Sequence, residues 1–351
     1  MRTAARTSLA AVRIEQFDPK SDGPRLQDCY DMFASAWLED DPNVPPFSFA
    51  MFRSWWTHDD VDESRQFWLA TADAGTPIGC YELKLPMREN RQTGFLELLV
   101  TPGSRRRGTG TALLAHAARQ AEQAGRALLM GGTRIGSAGA EFAASVGGKP
   151  GLQDARRILD VGPDLHARLP GLRADSEARA SGYSIRRWTG ATPEDLVSGV
   201  CALVTTMADA PHPEAYEPET WDAARLAADE ERAASRGTRE YSVAAIHDQT
   251  GDMAALTQVT VDPAQPTGWA HQQITAVTRA HRGHRLGTLL KVIMLAWLAE
   301  AEPQIRHIIT YNAVPNQYMI AVNESLGHRV SDYFQSYELP VEAALKLPVS
   351  A

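Results

Sequence analysis

A chain of 351 residues is long enough for two domains of ordinary size, and 44% apolar residues give each a sizeable core. With 35 basic against 43 acidic residues it lacks the positive face of a general nucleic-acid binder. Cys29, Cys80 and Cys201 are too few and too far apart for a disulfide framework or a zinc site. No stretch has the length and apolarity of a membrane span, and residues 1–11 lack the apolar core of a secretory signal. A cytoplasmic protein with no metal and no nucleic-acid or membrane partner is therefore expected.

Residues 12–17 form a first predicted strand, 25–38 a helix and 47–59 a second, tryptophan-rich helix. Strands at 66–72 and 77–85 flank the turn-forming Asp73-Ala-Gly75, and 95–100 is the next strand. Residues 111–124 form an amphipathic helix with Leu113, Leu114, Ala117, Ala118 and Ala121 on one face and Gly125 as its stop. A strand at 126–130 and a short helix at 137–146 close this series. Residues 164–181 are charged, carry Pro170 and Gly171, and read as a partly helical linker. A second series follows: a strand at 183–188, helices at 193–207 and 219–235, and strands at 241–248 and 254–261. A strand at 272–277, a helix at 286–299, a strand at 305–310, a helix at 316–326 and a strand at 333–339 complete it. The order is the same twice. The expected fold class is α/β, an α+β mixed sheet covered by helices, in tandem domains at 1–163 and 182–351.

The duplication is also written in residues. Val100-Thr-Pro-Gly-Ser-Arg105-Arg-Arg-Gly108-Thr-Gly110 precedes Val277-Thr-Arg-Ala-His-Arg282-Gly-His-Arg285-Leu-Gly287 by 177 positions. A strand ends at Val, an Arg follows five residues on, and a helix begins after small or basic residues. Backbone N–H groups there can converge on one anion, with the positive helix end behind them. Glycine permits close approach, and the arginines add charge for phosphates. The assigned cradle is Val100, Arg105, Arg106, Arg107, Gly108, Thr109, Gly110 and Thr111 in one half. In the other it is Val277, Arg282, Gly283, His284, Arg285, Leu286, Gly287 and Thr288.

This pattern resembles the GNAT superfamily of acyl-CoA-dependent N-acyltransferases, in a tandem layout similar to that of mycothiol synthase. The family signature is Gln or Arg, two residues, Gly, one residue, then Gly or Ala. Arg105, Gly108 and Gly110 match it fully; Arg282 and Gly287 match it with Arg285 in place of the first Gly. A later motif of Asn, Ala, Tyr, Gly and Phe finds Asn316, Met319, Asn323, Gly327 and His328 at its offsets. The resemblance implies that acetyl-CoA is a co-substrate, its pyrophosphate held by the backbone of 105–110 and 282–287. Strand ends at 98–100 and 275–277 would pair with pantetheine, and splayed strands would admit the thioester. Asn312 and Asn316 would hold the pantetheine arm or orient the acyl group.

Direct acyl transfer needs a deprotonated amine, a polarised thioester carbonyl and a proton donor for the leaving thiolate. Many family members supply that proton from a Tyr where this chain has Asn323, so Tyr311 and Tyr318 are the substitutes considered. General-base candidates are His271, Gln273 through a water, Glu97 and His212. The acidic loops at 39–46 and at Asp209, His212, Glu214 and Tyr216 suit a cationic amine, with Tyr216 and Trp221 as an apolar wall. The second half is expected to be catalytic, because it keeps Asn316 among other Asn and His residues. The first half is expected to bind acyl-CoA without chemistry or to act as support. The expected activity is acetyl transfer to the primary amine of a small molecule, in specialised metabolism, by a monomer or homodimer. An acyl-CoA-binding sensor, or an enzyme of the same fold using another acyl donor, is the alternative.

Overall fold

A computed structural model describes residues 12–73, 75–209, 211–265 and 268–348; the side chain of Asp209, an expected substrate contact, lies outside the described part. Two compact units result. One takes the chain as far as Gly151 and again from Gln335 onward; the other is Leu152–Phe334.

The first unit contains β1 (Arg13–Phe17), α1 (Gly23–Asp40), α2 (Phe49–Thr57), β2 (Glu63–Thr71), β3 (Pro77–Pro86) and β4 (Thr93–Val100). It continues through α3 (Thr109–Gln123), β5 (Leu128–Arg134), α4 (Ala138–Ser145) and the first residues of β6 (Lys149–Asp160). Strands β1 to β4 pair antiparallel in chain order, and β5 joins β4 in parallel. Side-chain oxygens of Asp22, Ser48 and Ser137 cap α1, α2 and α4, which fixes where those helices begin. The predicted face of α3 packs as read, with Leu113, Leu114, Ala117, Ala118 and Ala121 buried against Tyr81 and Leu83.

The second unit takes the rest of β6, then α5 (Pro163–Glu177), β7 (Tyr183–Thr189), α6 (Val197–Thr205), α7 (Ala223–Ser235), β8 (Arg239–His247) and β9 (Met253–Val261). After these come β10 (Trp269–Val277), α8 (Leu286–Ala301), β11 (His307–Ala313), α9 (Gln317–Leu326) and β12 (Arg329–Pro340), followed by α10 (Val341–Leu345). Strands β7 to β10 pair antiparallel, β11 joins β10 in parallel, and β6 pairs antiparallel with β11. Helix α8 is apolar nearly all round and lies at the centre of the core, with Leu286, Leu290, Val292 and Met294 buried.

Two expectations differ from what is observed. The stretch read as a linker folds as α5, whose Leu165 and Leu169 enter the core of the second unit; Pro163 at its start suits a first helical turn. The units also divide at Gly151 and Phe334 rather than at 163 and 182. Strand β6 was not expected, and from Leu152 it belongs to the second unit, while β12 from Gln335 lies beside β5 in the first. Leu339, Val341 and Ala344 complete the core around α3.

Candidate active site

Each cradle is a strand end, a 3-10 turn and a helix start. Strand β4 ends at Val100, Pro102–Ser104 turn, and α3 begins at Thr109; β10 ends at Val277, Arg279–His281 turn, and α8 begins at Leu286. The backbone goes left-handed at the same two places in both. These are Arg106 (φ 60°) and Gly108 (φ 85°) in one, and Gly283 (φ 90°) and Arg285 (φ 53°) in the other. Arg and Gly have exchanged positions while the backbone conformation is kept, although a non-glycine residue there is disfavoured. Among the described residues no side chain caps α3 or α8, so their first-turn N–H groups are left for a ligand.

The charged residues of the cradles separate by partner. Arg105 binds Asp40 through two nitrogens at 3.0 and 2.7 Å, reaches Glu39 at 3.3 Å and donates to the Val100 carbonyl at 3.3 Å. It is therefore a clasp onto the end of α1, not a free phosphate ligand, and Glu39 and Asp40 are engaged with it rather than open to an amine. Arg106 and Arg107 are exposed. Arg285 reaches Asp175 at 3.4 Å on the surface, while Arg282 lines a cavity.

That cavity, of about 380 Å³, lies in the second unit and runs from Val277 and Arg282 to Gln272, Thr310, Tyr311, Asn312 and Asn316. It opens because β10 and β11 pair only from Trp269↔His307 to His271↔Ile309 and then part. At the same place β10 slips register against β9, between Gln272 and Thr275. Such a bulge holds one extra residue and leaves a ladder N–H unpaired. In the first unit β3 and β4 run without a slip from Gly79↔Val100 to Lys84↔Phe95. Its cleft, of about 160 Å³, is walled by Leu96, Leu98, Leu114, Leu129 and Phe142.

Residues 26–138 match the acetyltransferase (GNAT) family. A tandem GNAT protein from the clavulanic acid biosynthesis pathway, determined without acetyl-CoA, is similar throughout. Its TM-score is 0.77 at 28% identity, covering 94% of this chain and 99% of that one. The chain has the tandem GNAT fold. A GCN5-related N-acetyltransferase from Sphaerobacter thermophilus shares the fold at 14% identity, with a TM-score of 0.64 over 94% of this chain and 96% of its own. No curated protein matches the sequence.

Within this tandem GNAT fold the polar residues of the later motif divide. Asn316 caps α9 by accepting from the Met319 N–H at 3.3 Å and lines the cavity. Asn312 lines it too, and its Oδ1 accepts from Asn323 Nδ2 at 2.7 Å. Asn323 is fully buried, so it does not meet a substrate as a catalytic group; it orients Asn312. Tyr311 is 46% exposed on the cavity wall, its ring edge-on to Phe334 at 5.5 Å.

The expected bases mostly lie elsewhere. His271 does not line the cavity; burial pushes its pKa down to about 4, against the raising influence of Asp262. Glu97 belongs to the first unit, is exposed, and pairs with Lys84 at 2.6 Å. His212 and Glu214 are exposed, and the Tyr216 hydroxyl donates to Glu219 at 3.0 Å. None of these three lines the cavity; Thr206, Met207 and Pro211 from the same region do. Gln273 does line it, with its amide donating to Thr260 Oγ1 at 2.7 Å.

Two groups escaped the sequence reading. Asp154 of β6 lines the cavity, and burial raises its pKa above the usual carboxylate value. Lys291 of α8 lines it as well, 3% exposed, and burial pulls its pKa down to about 7. The signal for Lys291 was present: one lysine within an apolar helix has no polar face to occupy.

Proposed function

We propose that the second unit transfers an acyl group, acetyl in the simplest case, from the coenzyme A thioester to a primary amine of a small molecule. The observation that carries this reading is the β10 bulge. It sits where the strands part, opens onto a polar cavity continuous with a cradle, and has no counterpart among the described residues of the first unit's β3–β4 pair. The N–H groups opening α8 and the Arg282 guanidinium hold the diphosphate. The edge of β10 at Thr275–Val277 pairs with pantetheine amides, and the N–H freed by the bulge polarises the thioester carbonyl. Asp154, its proton affinity raised by burial, accepts a proton from the incoming ammonium. The neutral nitrogen then attacks: a C–N bond forms, the C–S bond breaks, the thiolate takes its proton from the Tyr311 hydroxyl, and the proton shed by the new amide nitrogen returns to the tyrosinate. The first unit keeps the cradle but walls its cleft with apolar side chains, which suits binding without turnover.

Thiol release with a panel of amines tests the assignment. Gly287→Glu places a carboxylate in the second cradle, where a new Cβ meets only Val277 at 3.7 Å and Val322 at 4.0 Å. Turnover should fall about a hundredfold or more, through like-charge repulsion of the diphosphate. Gly110→Glu should leave more than about a third of it; the reverse ranking would move the chemistry to the first unit. Asn323 in place of a tyrosine favours a second reading, a sensor. Acetyl-CoA binding with no thiol released from any amine would establish that instead.

A further inference from the structure

Lys291 stands 177 positions after Leu114, so the second copy carries an amine where the first carries a leucine. Its Nζ donates to Gln272 Oε1 at 3.1 Å, its one partner among the described residues. Gln272 is held in that orientation, because its Nε2 donates to Thr257 Oγ1 at 3.1 Å and to the carbonyls of Gln258 at 2.5 Å and Ile274 at 2.9 Å. The charged groups around the amine do not neutralise it. His328, just before β12, and Arg157 of β6 are cationic types, and Lys291 and His328 repel one another's protonated forms. Asp154 shares the cavity, but burial alone shifts it and burial alone shifts Lys291, so the two are not paired. Arg157, 5% exposed, keeps its Nε and Nη1 without hydrogen-bond partners, and so does Oδ1 of the fully buried Asn323.

A buried, uncompensated amine is unfavourable for folding, and a leucine serves the same place in the other copy. The amine meets the cavity at Gln272, beside the bulge, where the acyl end of a thioester arrives. An acetyl methyl offers it nothing. We infer that Lys291 is the counter-ion for a carboxylate at the far end of the donor's acyl group, so that the preferred donor is the coenzyme A thioester of a dicarboxylic acid. The assignment rests on the acyl-transfer reading above and names its donor. In the free protein burial leaves the amine only partly protonated near neutral pH, and an arriving carboxylate draws a proton onto it.

Titration calorimetry of the full chain with acetyl-CoA and with succinyl-CoA tests this, in wild type and in Lys291→Met. The carboxylate thioester should bind at least about tenfold tighter than acetyl-CoA in wild type, and about equally in the variant. Binding in the first unit contributes alike to both proteins and cancels in the comparison. Retained acetyl-CoA binding shows that the variant is folded; should it not fold, wild type alone decides through proton uptake in two buffers of different ionisation heat. Net proton uptake should accompany succinyl-CoA binding at neutral pH and be almost absent with acetyl-CoA. Equal affinities in wild type, equal proton uptake, or a preference that survives Lys291→Met would overturn the donor assignment while leaving acyl transfer in place. Failure of both thioesters to bind would remove the acyl-transfer reading along with it.

Discussion

Lys291→Met should stabilise the protein at neutral pH, by an amount that shrinks as the solution becomes alkaline. Unfolded, the lysine titrates near 10.5; folded, burial brings it to about 7. Between those values the unfolded chain holds the extra proton, so wild-type stability rises with pH there and is lowest below about 7. Each tenfold loss of proton affinity on folding costs about 1.4 kcal/mol, which makes the penalty at neutral pH about 5 kcal/mol at most. Methionine is uncharged and fits the space, but it strips Gln272 Oε1 of its donor, a loss of about 1–3 kcal/mol. The net gain should therefore be about 2–4 kcal/mol at pH 7, close to zero by about pH 9.5, and flat below pH 7. Urea unfolding followed by far-ultraviolet circular dichroism, at four pH values from 6 to 9.5, measures it. A gain independent of pH, or a variant less stable at neutral pH, would mean that the amine already has water or a counter-charge.

Three further outcomes are expected. Tyr311→Phe should lower kcat about 10- to 100-fold with KM little changed, and should remove the alkaline limb of the pH–rate profile. Arg105→Ala breaks the clasp to Asp40, so unfolding free energy should drop by about 1 kcal/mol while steady-state turnover is retained. His328 is held at about pKa 3 by burial and by Lys291, far below 6.5, so stability present above pH 6.5 is lost as the pH falls toward 3. In His328→Gln the drop between pH 7 and pH 5, read by urea titration, should shrink by about 2 kcal/mol.

Much of the fold was legible because local signals agreed with tertiary ones. Helix α3 has its apolar stripe and its Gly125 stop, and both cradles kept their spacing although Gly and Arg changed places within them. Strand β6 was hidden for a specific reason. Its centre carries Arg156 and Arg157, fully buried and 5% exposed, which reads as solvated surface. Arg156 is held by Asp332, 176 residues later, and lies 5.3 Å from the centroid of the Phe334 ring. No short window contains those partners. Two catalytic candidates are placed by tertiary packing in the same way: His271 is buried off the cavity, and Asn323 is buried behind Asn312. The bulge that defines the site was invisible because it is a matter of register between two strands, not of residue type.

The assignment of β12 from Gln335 to the first unit bears on how the protein is made. A ribosome completes α3 and its neighbouring strands long before it reaches Leu339, Val341 and Ala344, which close that core. The amino-terminal half must therefore wait, with one sheet edge unfinished, while the whole of Leu152–Phe334 is synthesised. A truncation that stops after residue 334 would deprive the early half of its last strand, however intact its own sequence, and a gene cut between the two repeats would not yield two independent proteins.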